Sequence, residues 1–302
     1  MKDGKWMIPA MVLSWSVFYA VSKVMVDATG SAIAGGALIR AAALVFLTVQ
    51  ILADGQFREL FRPGRAIFIL LLIGLFGFLL DLFANLGYAH GSLSTGTALL
   101  KTDVLMANLI TVAVFRKKLY ATDWLGTLIM LAGVLLVLDV DFRAMTWNPT
   151  DLLFLLSAAC VTVNAFVIKT AQNKYRQTSD VISYYNNLVV LVLFTLFCIV
   201  RGDLSAALSR GTDLRFWGLV ALGGLAQTGI YFFYYRNLKR YEVWVVKLYL
   251  LLMPVVSCFI GVAFLHETIT PLKAIGIAVV MAGAVLILLR GKLHREEAAV
   301  KN

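Results

Sequence analysis

Charge is scarce in this chain. Of its 302 residues, 15% are Asp, Glu, Lys or Arg and 61% are hydrophobic, against about 25% and 45–50% in ordinary globular domains. A water-soluble fold cannot hide that much apolar surface, so lipid must cover much of it; the mean hydropathy of +0.85 agrees. Enzyme signatures are missing too. There is no Gly-x4-Gly-Lys-[Ser/Thr] phosphate loop and no HExxH, and the three histidines, His90, His266 and His294, sit in separate linkers. ATP drive is therefore not encoded, and neither a metal nor a cofactor is expected. Cysteine is sparse: Cys160, Cys198 and Cys258 lie inside apolar runs without CxxC spacing, and read as small packing residues.

What is present is a series of apolar segments. Ten are legible: Trp6–Val26, Ser31–Leu52, Ala66–Gly87, Leu93–Phe115, Thr122–Val140, Thr150–Lys169, Val181–Val200, Arg215–Arg236, Val243–Leu265 and Thr270–Arg290. Each is near the ~20 residues that cross ~30 Å of hydrocarbon as a helix, and helices alone satisfy their own backbone in lipid. The first segment is too long for a signal peptide and is read as a retained span. The expected fold is all-α integral membrane, with ten transmembrane helices.

The net charge of +10 does not point to nucleic acid, because the basic residues fall in small clusters between apolar runs. With the N-terminus inside, the inner linkers and ends carry 18 Lys and Arg, and the outer ones carry 5: Arg143, Arg201, Arg210, Arg215 and Lys273. That bias predicts cytoplasmic termini at both ends.

The chain repeats itself. Gly126-x6-Gly133 in segment 5 matches Gly276-x6-Gly283 in segment 10, an offset of 150, and Leu131-Ala-Gly133 lies over Met281-Ala-Gly283. Five spans per half turn the second half upside down. The expected organisation is two inverted five-helix repeats, 1–145 and 146–302, as in secondary transporters.

Six charges lie inside spans: Lys23, Arg40, Asp81, Lys101, Asp103 and Lys247. A charge at the bilayer centre costs at least ~2.5–3.5 kcal/mol on insertion scales, so each must pair, face a cavity or snorkel. Lys23, near the outer end of segment 1, reads as snorkelling. In segment 4, Ser94, Thr97, Lys101, Asn108 and Thr111 fall on one helical stripe. Asp103 stands ~200° around from Lys101 and cannot share its face. Lys101 is read as facing a central cavity and Asp103 as anchoring a neighbouring helix; the competing reading makes both structural ion pairs. Segment 9 carries Lys247, Pro254, Ser257 and Gly261 on one stripe. Pro254 deprives the Leu250 carbonyl of its partner. Lys247 lies about one turn from the inner end, where snorkelling rivals a cavity role. Gln227, Tyr231 and Tyr234 or Tyr235 in segment 8, Tyr184 and Asn187 in segment 7, and Ser157 and Asn164 in segment 6 are further polar candidates. Gly218, Gly223, Gly224 and Gly229 are expected to permit close packing. If Asp81 and Asp103 each pair with a base among Arg40, Lys101 and Lys247, about one positive charge remains for a ligand bearing a carboxylate or phosphate.

The stretch from Leu252-Met-Pro254 through Leu265-His-Glu-Thr-Ile-Thr270 to Gly276 and Met281-Ala-Gly283 resembles the signature of the drug/metabolite transporter superfamily, in its EamA-like branch. Trp15, Lys23, Arg40 and Ala98-Leu-Leu100 are weaker echoes in the first half. Departures are Val104 where the family often has Pro, Lys117 where it often has an acid, and His266 before Glu267 in place of Gly. The resemblance implies a cavity lined by segments 1, 3, 4, 6, 8 and 9. It implies export of a small polar metabolite, an amino acid or small organic acid, across the inner membrane, with protons as a coupling ion and the chain acting as monomer or homodimer. The alternatives are an importer or exchanger of phosphorylated or nucleotide-linked metabolites on the same fold, and a membrane-embedded enzyme handling lipids.

The charge bias yields a topology test. Single cysteines replacing Arg143 and Gly211 are expected to react with an impermeant maleimide in intact cells, and one replacing Lys174 is not; the reverse pattern overturns the orientation.

Overall fold

A computed structural model describes residues 6–90, 99–138, 151–203, 213–265 and 269–300. Its α-helices are α1 (Met7–Thr29), α2 (Ala32–Ala53), α3 (Ile67–His90), α4 (Asp103–Ala113), α5 (Ala121–Val137), α6 (Asp151–Asn173), α7 (Ser179–Arg201), α8 (Leu214–Arg240), α9 (Val243–Leu250), α10 (Met253–Leu265) and α11 (Pro271–Val300). Two 3-10 turns, Phe57–Phe61 and Gly64–Ala66, join α2 to α3. Among the described residues there is no strand.

Among the described residues, length and composition make seven spans able to cross a bilayer: Met7–Val26, Ile33–Ala53, Gly64–Ala84, Asp151–Asn173, Ser179–Arg201, Leu214–Arg240 and Val243–Ile260. Asp103–Ala113, Ala121–Val137 and Pro271–Ile287 are shorter apolar helices. Segments 4 and 9 differ from expectation. Neither is one continuous helix; each contains a turn, at Lys101–Thr102 and at Leu251–Leu252. Ser94, Thr97, the Asp141–Asn148 linker and the His266–Glu267 linker lie outside the described residues, as does the Lys23 side chain.

Local chemistry sets the ends. Gly30, at φ 67°, closes α1 by donating its N–H to the Val26 carbonyl, a left-handed conformation that glycine adopts without steric penalty. Ser31, Thr178 and Asp213 cap α2, α7 and α8 by accepting backbone N–H groups. Large apolar side chains such as Val45, Phe68, Leu125, Leu196 and Phe259 point outward, where lipid rather than water covers them.

The two halves pack by exchange. α1 of the first half lies on α8 of the second, and α6 of the second lies on α3 of the first. α2 contacts α8 while α7 contacts α3, and α2 also meets α7. α10 packs on α1, and α4 packs on α6. Swapping the halves by the offset of 150 returns the same list. Among the described residues the largest buried cluster draws on α1 to α4 and α6 to α10, with Tyr231, Tyr234 and Tyr235 inside it.

The repeated glycines meet one another. A Cβ on Gly133 would stand 2.6 Å from the Val280 nitrogen and 2.9 Å from the Gly276 oxygen. One on Gly276 would stand 2.8 Å from the Gly133 oxygen, and one on Gly283 3.0 Å from the Gly126 oxygen. Gly126 thus faces Gly283 and Gly133 faces Gly276, so α5 and α11 run antiparallel with their backbones in contact, as small residues allow. Gly223 and Gly224 similarly seat α8 on Ile39 and on the Ala42–Ala43 backbone of α2. Gly218 faces open space instead, so its expected packing role is corrected.

Gly133→Ala and Gly276→Ala are each expected to cost about 1–3 kcal/mol, because backbone cannot yield to the new methyl group. Gly218→Ala should be neutral. Thermal unfolding of the three purified variants in detergent checks this; a Gly133→Ala midpoint equal to that of Gly218→Ala would contradict the seam.

Candidate functional site

The site is built where two helices are broken. At the first break the Thr102 N–H reaches the Leu99 carbonyl at 3.1 Å, and regular bonding resumes with Met106 N–H to the Thr102 carbonyl at 3.0 Å. At the second, the Leu252 N–H reaches the Tyr249 carbonyl at 3.1 Å, and bonding resumes with Val256 N–H to the Leu252 carbonyl at 3.1 Å. Each residue of the second set is 150 positions after its counterpart in the first.

The causes of the two breaks differ. Pro254 has no N–H for the Leu250 carbonyl, and its ring crowds the preceding turn. The counterpart of Pro254 is Val104, which has no such effect. There the Thr102 hydroxyl donates to the Leu99 carbonyl at 2.6 Å, a side-chain bond that competes with helical pairing. Neighbouring helices brace both turns. The Ser16 hydroxyl of α1 lies 3.3 Å from the Met253 carbonyl, and the Thr162 hydroxyl of α6 lies 3.1 Å from the Asp103 carbonyl.

The breaks touch, and the charges gather there. Lys101 Nζ lies 4.0 Å from Met253 Sδ. Lys247 Nζ donates to Asp103 Oδ2 at 2.8 Å. Lys247 is 1% exposed, so the snorkelling alternative is corrected: the carboxylate on α4 holds its ammonium inward. Tyr234, also buried, stands beside Lys247, yet its hydroxyl makes no well-formed hydrogen bond. Lys101 is part-buried and, among the described residues, in no ion pair; Asp103 and Lys247 are its charged neighbours.

The expected continuous stripe through Lys101, Asn108 and Thr111 is corrected by the turn, which re-aims everything after Thr102. Asn108 points its amide at Thr127 of α5, at 3.3 Å. The Thr111 hydroxyl bonds back to the Ala107 carbonyl.

A second polar cluster lies among α2, α3, α7 and α8. Arg40 pairs with Asp81 at 2.8 Å and donates to the Tyr231 hydroxyl. Gln227 neighbours Tyr231. Asn187 donates to the Arg40 carbonyl at 2.9 Å, and Asn186 to the Tyr235 hydroxyl. The tyrosines of α8 link the clusters: the Tyr231 and Tyr235 rings are 5.4 Å apart, and Tyr234 and Tyr235 are 5.9 Å apart. Tyr184 is partly buried against the apolar core. Among the described residues no three His, Cys, Asp or Glu side chains gather as metal ligands.

Toward the basic face, Glu242 accepts from Lys117 at 2.6 Å and lies 3.7 Å from Lys169. Burial raises the Glu242 carboxyl, but its two ammonium partners outweigh that and hold it below its ordinary value. These residues line a cavity of about 240 Å³ with Phe115 and Phe166. Sequence reasoning missed Thr102, Ser16, Thr162 and this cluster. Moving Pro254 back by 150 positions lands two residues past Thr102, and is the signal that finds the first break.

Asp103→Asn leaves the Lys247 ammonium buried without a counter-charge and is expected to cost ~3–5 kcal/mol. The double variant Asp103→Asn/Lys247→Met should recover much of that loss. Denaturation of the single and double variants measures the coupling; additive losses would show that the two charges do not depend on each other.

No curated protein matches the chain. A solved crystal structure resembles it over 94% of this chain and 99% of the other, with a TM-score of 0.72 at 18% identity, a likeness of fold alone. The model of the EamA-like transporter family matches twice, at residues 4–139 and 148–289. Matched through both halves, the chain belongs to the EamA-like transporter family.

Proposed function

We propose that this chain is a secondary transporter that exports a small metabolite carrying a carboxylate, an amino acid or small organic acid, by alternating access. Ten spans in two inverted repeats, 1–145 and 146–302, rock about the contact between segments 4 and 9. Both termini lie on the cytoplasmic side of the inner membrane, and a substrate gradient or protons bias the cycle.

The single observation behind this reading is the charge balance at the breaks. Among the described residues Arg40 is matched by Asp81 and Lys247 by Asp103, which leaves Lys101 as a deep base in no ion pair. An unmatched charge at membrane depth is expensive, and a bound carboxylate removes the cost. The antiparallel α5–α11 seam and the exchanged packing of the halves support inversion. Broken helices at matched positions of two repeats are a general mark of transporter sites. The buried Tyr234 hydroxyl, beside Lys247, adds a polar group near the same place.

Lys101→Met is expected to keep or raise the thermal midpoint of the ligand-free wild type, since no ion pair is lost and a costly buried charge is removed, while most substrate flux disappears. Purified protein in liposomes would be assayed against panels of anionic, zwitterionic and cationic metabolites. Normal flux by Lys101→Met, or uptake restricted to cations, refutes the assignment; a collapse in stability makes Lys101 structural.

A further inference from the structure

A second basic site lies away from the breaks, in a cavity of about 320 Å³ lined by Arg58, Glu59, Arg62, Arg176, Gln177 and Thr178. Three guanidinium groups share it with one carboxylate. Among the described residues none of the three arginines forms an ion pair, although Glu59 is at hand. Arg58 and Arg62 come from the linker between α2 and α3, and Arg176 from the linker between α6 and α7. The cavity is therefore assembled from both halves. The first linker is not loose: the Tyr185 hydroxyl of α7 donates to the Leu60 carbonyl at 2.6 Å, and Leu60 is buried.

The surroundings specify the ligand further. Phe61 is 74% exposed and Phe68 is 79% exposed, next to the arginines and at the start of the apolar surface of α3. The Phe57 and Phe61 rings lie 5.4 Å apart. A basic concavity whose linker also carries exposed aromatics, Phe61 adjacent in sequence to Arg62, matches a molecule with an anionic head and an apolar body. Guanidinium prefers phosphate oxygens, which it meets with two parallel hydrogen bonds. A cavity near 300 Å³ is at the small end of ligand sites, suited to a headgroup.

We propose that this cavity binds the phosphate group of an anionic phospholipid, with the acyl chains lying along Phe61 and Phe68. The phosphate is held by both halves of the chain at the basic face. It therefore resists their separation there, the motion by which the transporter proposed above opens to that side. Only this last consequence rests on the transport reading; binding does not.

Full-length protein in detergent would be melted with added phosphatidylglycerol, with phosphatidylcholine, and with inorganic phosphate or glycerol 3-phosphate at matched phosphate concentration. Phosphatidylglycerol should raise the midpoint and phosphatidylcholine should not. The variant Arg58→Gln/Arg62→Gln/Arg176→Gln should lose most of that rise. A control, Arg116→Gln/Lys118→Gln/Lys239→Gln, removes equal charge from the same face and should keep the rise. Equal loss in the control, or no preference for the anionic lipid, overturns the site. If soluble phosphate stabilises as strongly as the lipid and the arginine variant loses that effect, the phosphate site stands and the lipid as its source is overturned. No transport is measured, so failure here is separate from failure of the substrate site.

Discussion

Inside a bilayer no water repairs an unpaired charge or an orphaned backbone group, and that constraint explains the interior of this protein. Among the described residues each of the two helix breaks has a brace, and each of Asp81 and Asp103 has a base. The Thr102 hydroxyl answers the Leu99 carbonyl where helical pairing fails, and Ser16 and Thr162 lean on the carbonyls that follow the two turns. The Asp103–Lys247 pair crosses between α4 and α9, so the same interaction that neutralises two charges also joins the broken segments. Among the described residues Lys101 is in no ion pair, and its position where the two turns meet is why the proposed function puts an external anion there.

The rest of the frame separates what is fixed from what can move. α5 and α11 approach backbone to backbone at four glycines, with Met130, Val280 and Ile287 packed over them. α4, α9 and α10 are short and interrupted. A helix that has already lost part of its hydrogen-bond ladder bends there at lower cost than an intact one. Rigid seam and broken crossing thus lie in the same pseudo-symmetric arrangement, and the crossing carries the charges.

The all-helical membrane fold, the long apolar spans and the glycine repeat were legible in the sequence, because each depends on composition or on spacing along the chain. The polar stripe through Lys101, Asn108 and Thr111 failed because it assumed one unbroken helix. A turn whose cause is a single threonine hydroxyl leaves no trace in hydrophobic periodicity, whereas Pro254 announces its own break. The pairing of Lys247 was equally out of reach. Depth along the axis suggested snorkelling, and only the packing of α9 against α4 shows a carboxylate 2.8 Å away.

The offset of 150 relates the backbones of the two halves but not their chemistry. Lys101 corresponds to Leu251, Asp103 to Met253, and Lys247 to Thr97. All three charges of the first cluster therefore have uncharged partners, although the turns beside them share the backbone bonds made by Thr102 and Leu252. A symmetric frame is what rocking between two mirrored states requires, since each half must adopt the other's conformation in turn. A symmetric set of charges is not required, provided that the charges sit where the halves cross. The contact between Lys101 and Met253, one residue from each half and each beside its own turn, is such a crossing. In the alternating-access cycle proposed above, a single lysine there is reachable from either side, so that proposal needs only one asymmetric anion site in a symmetric frame.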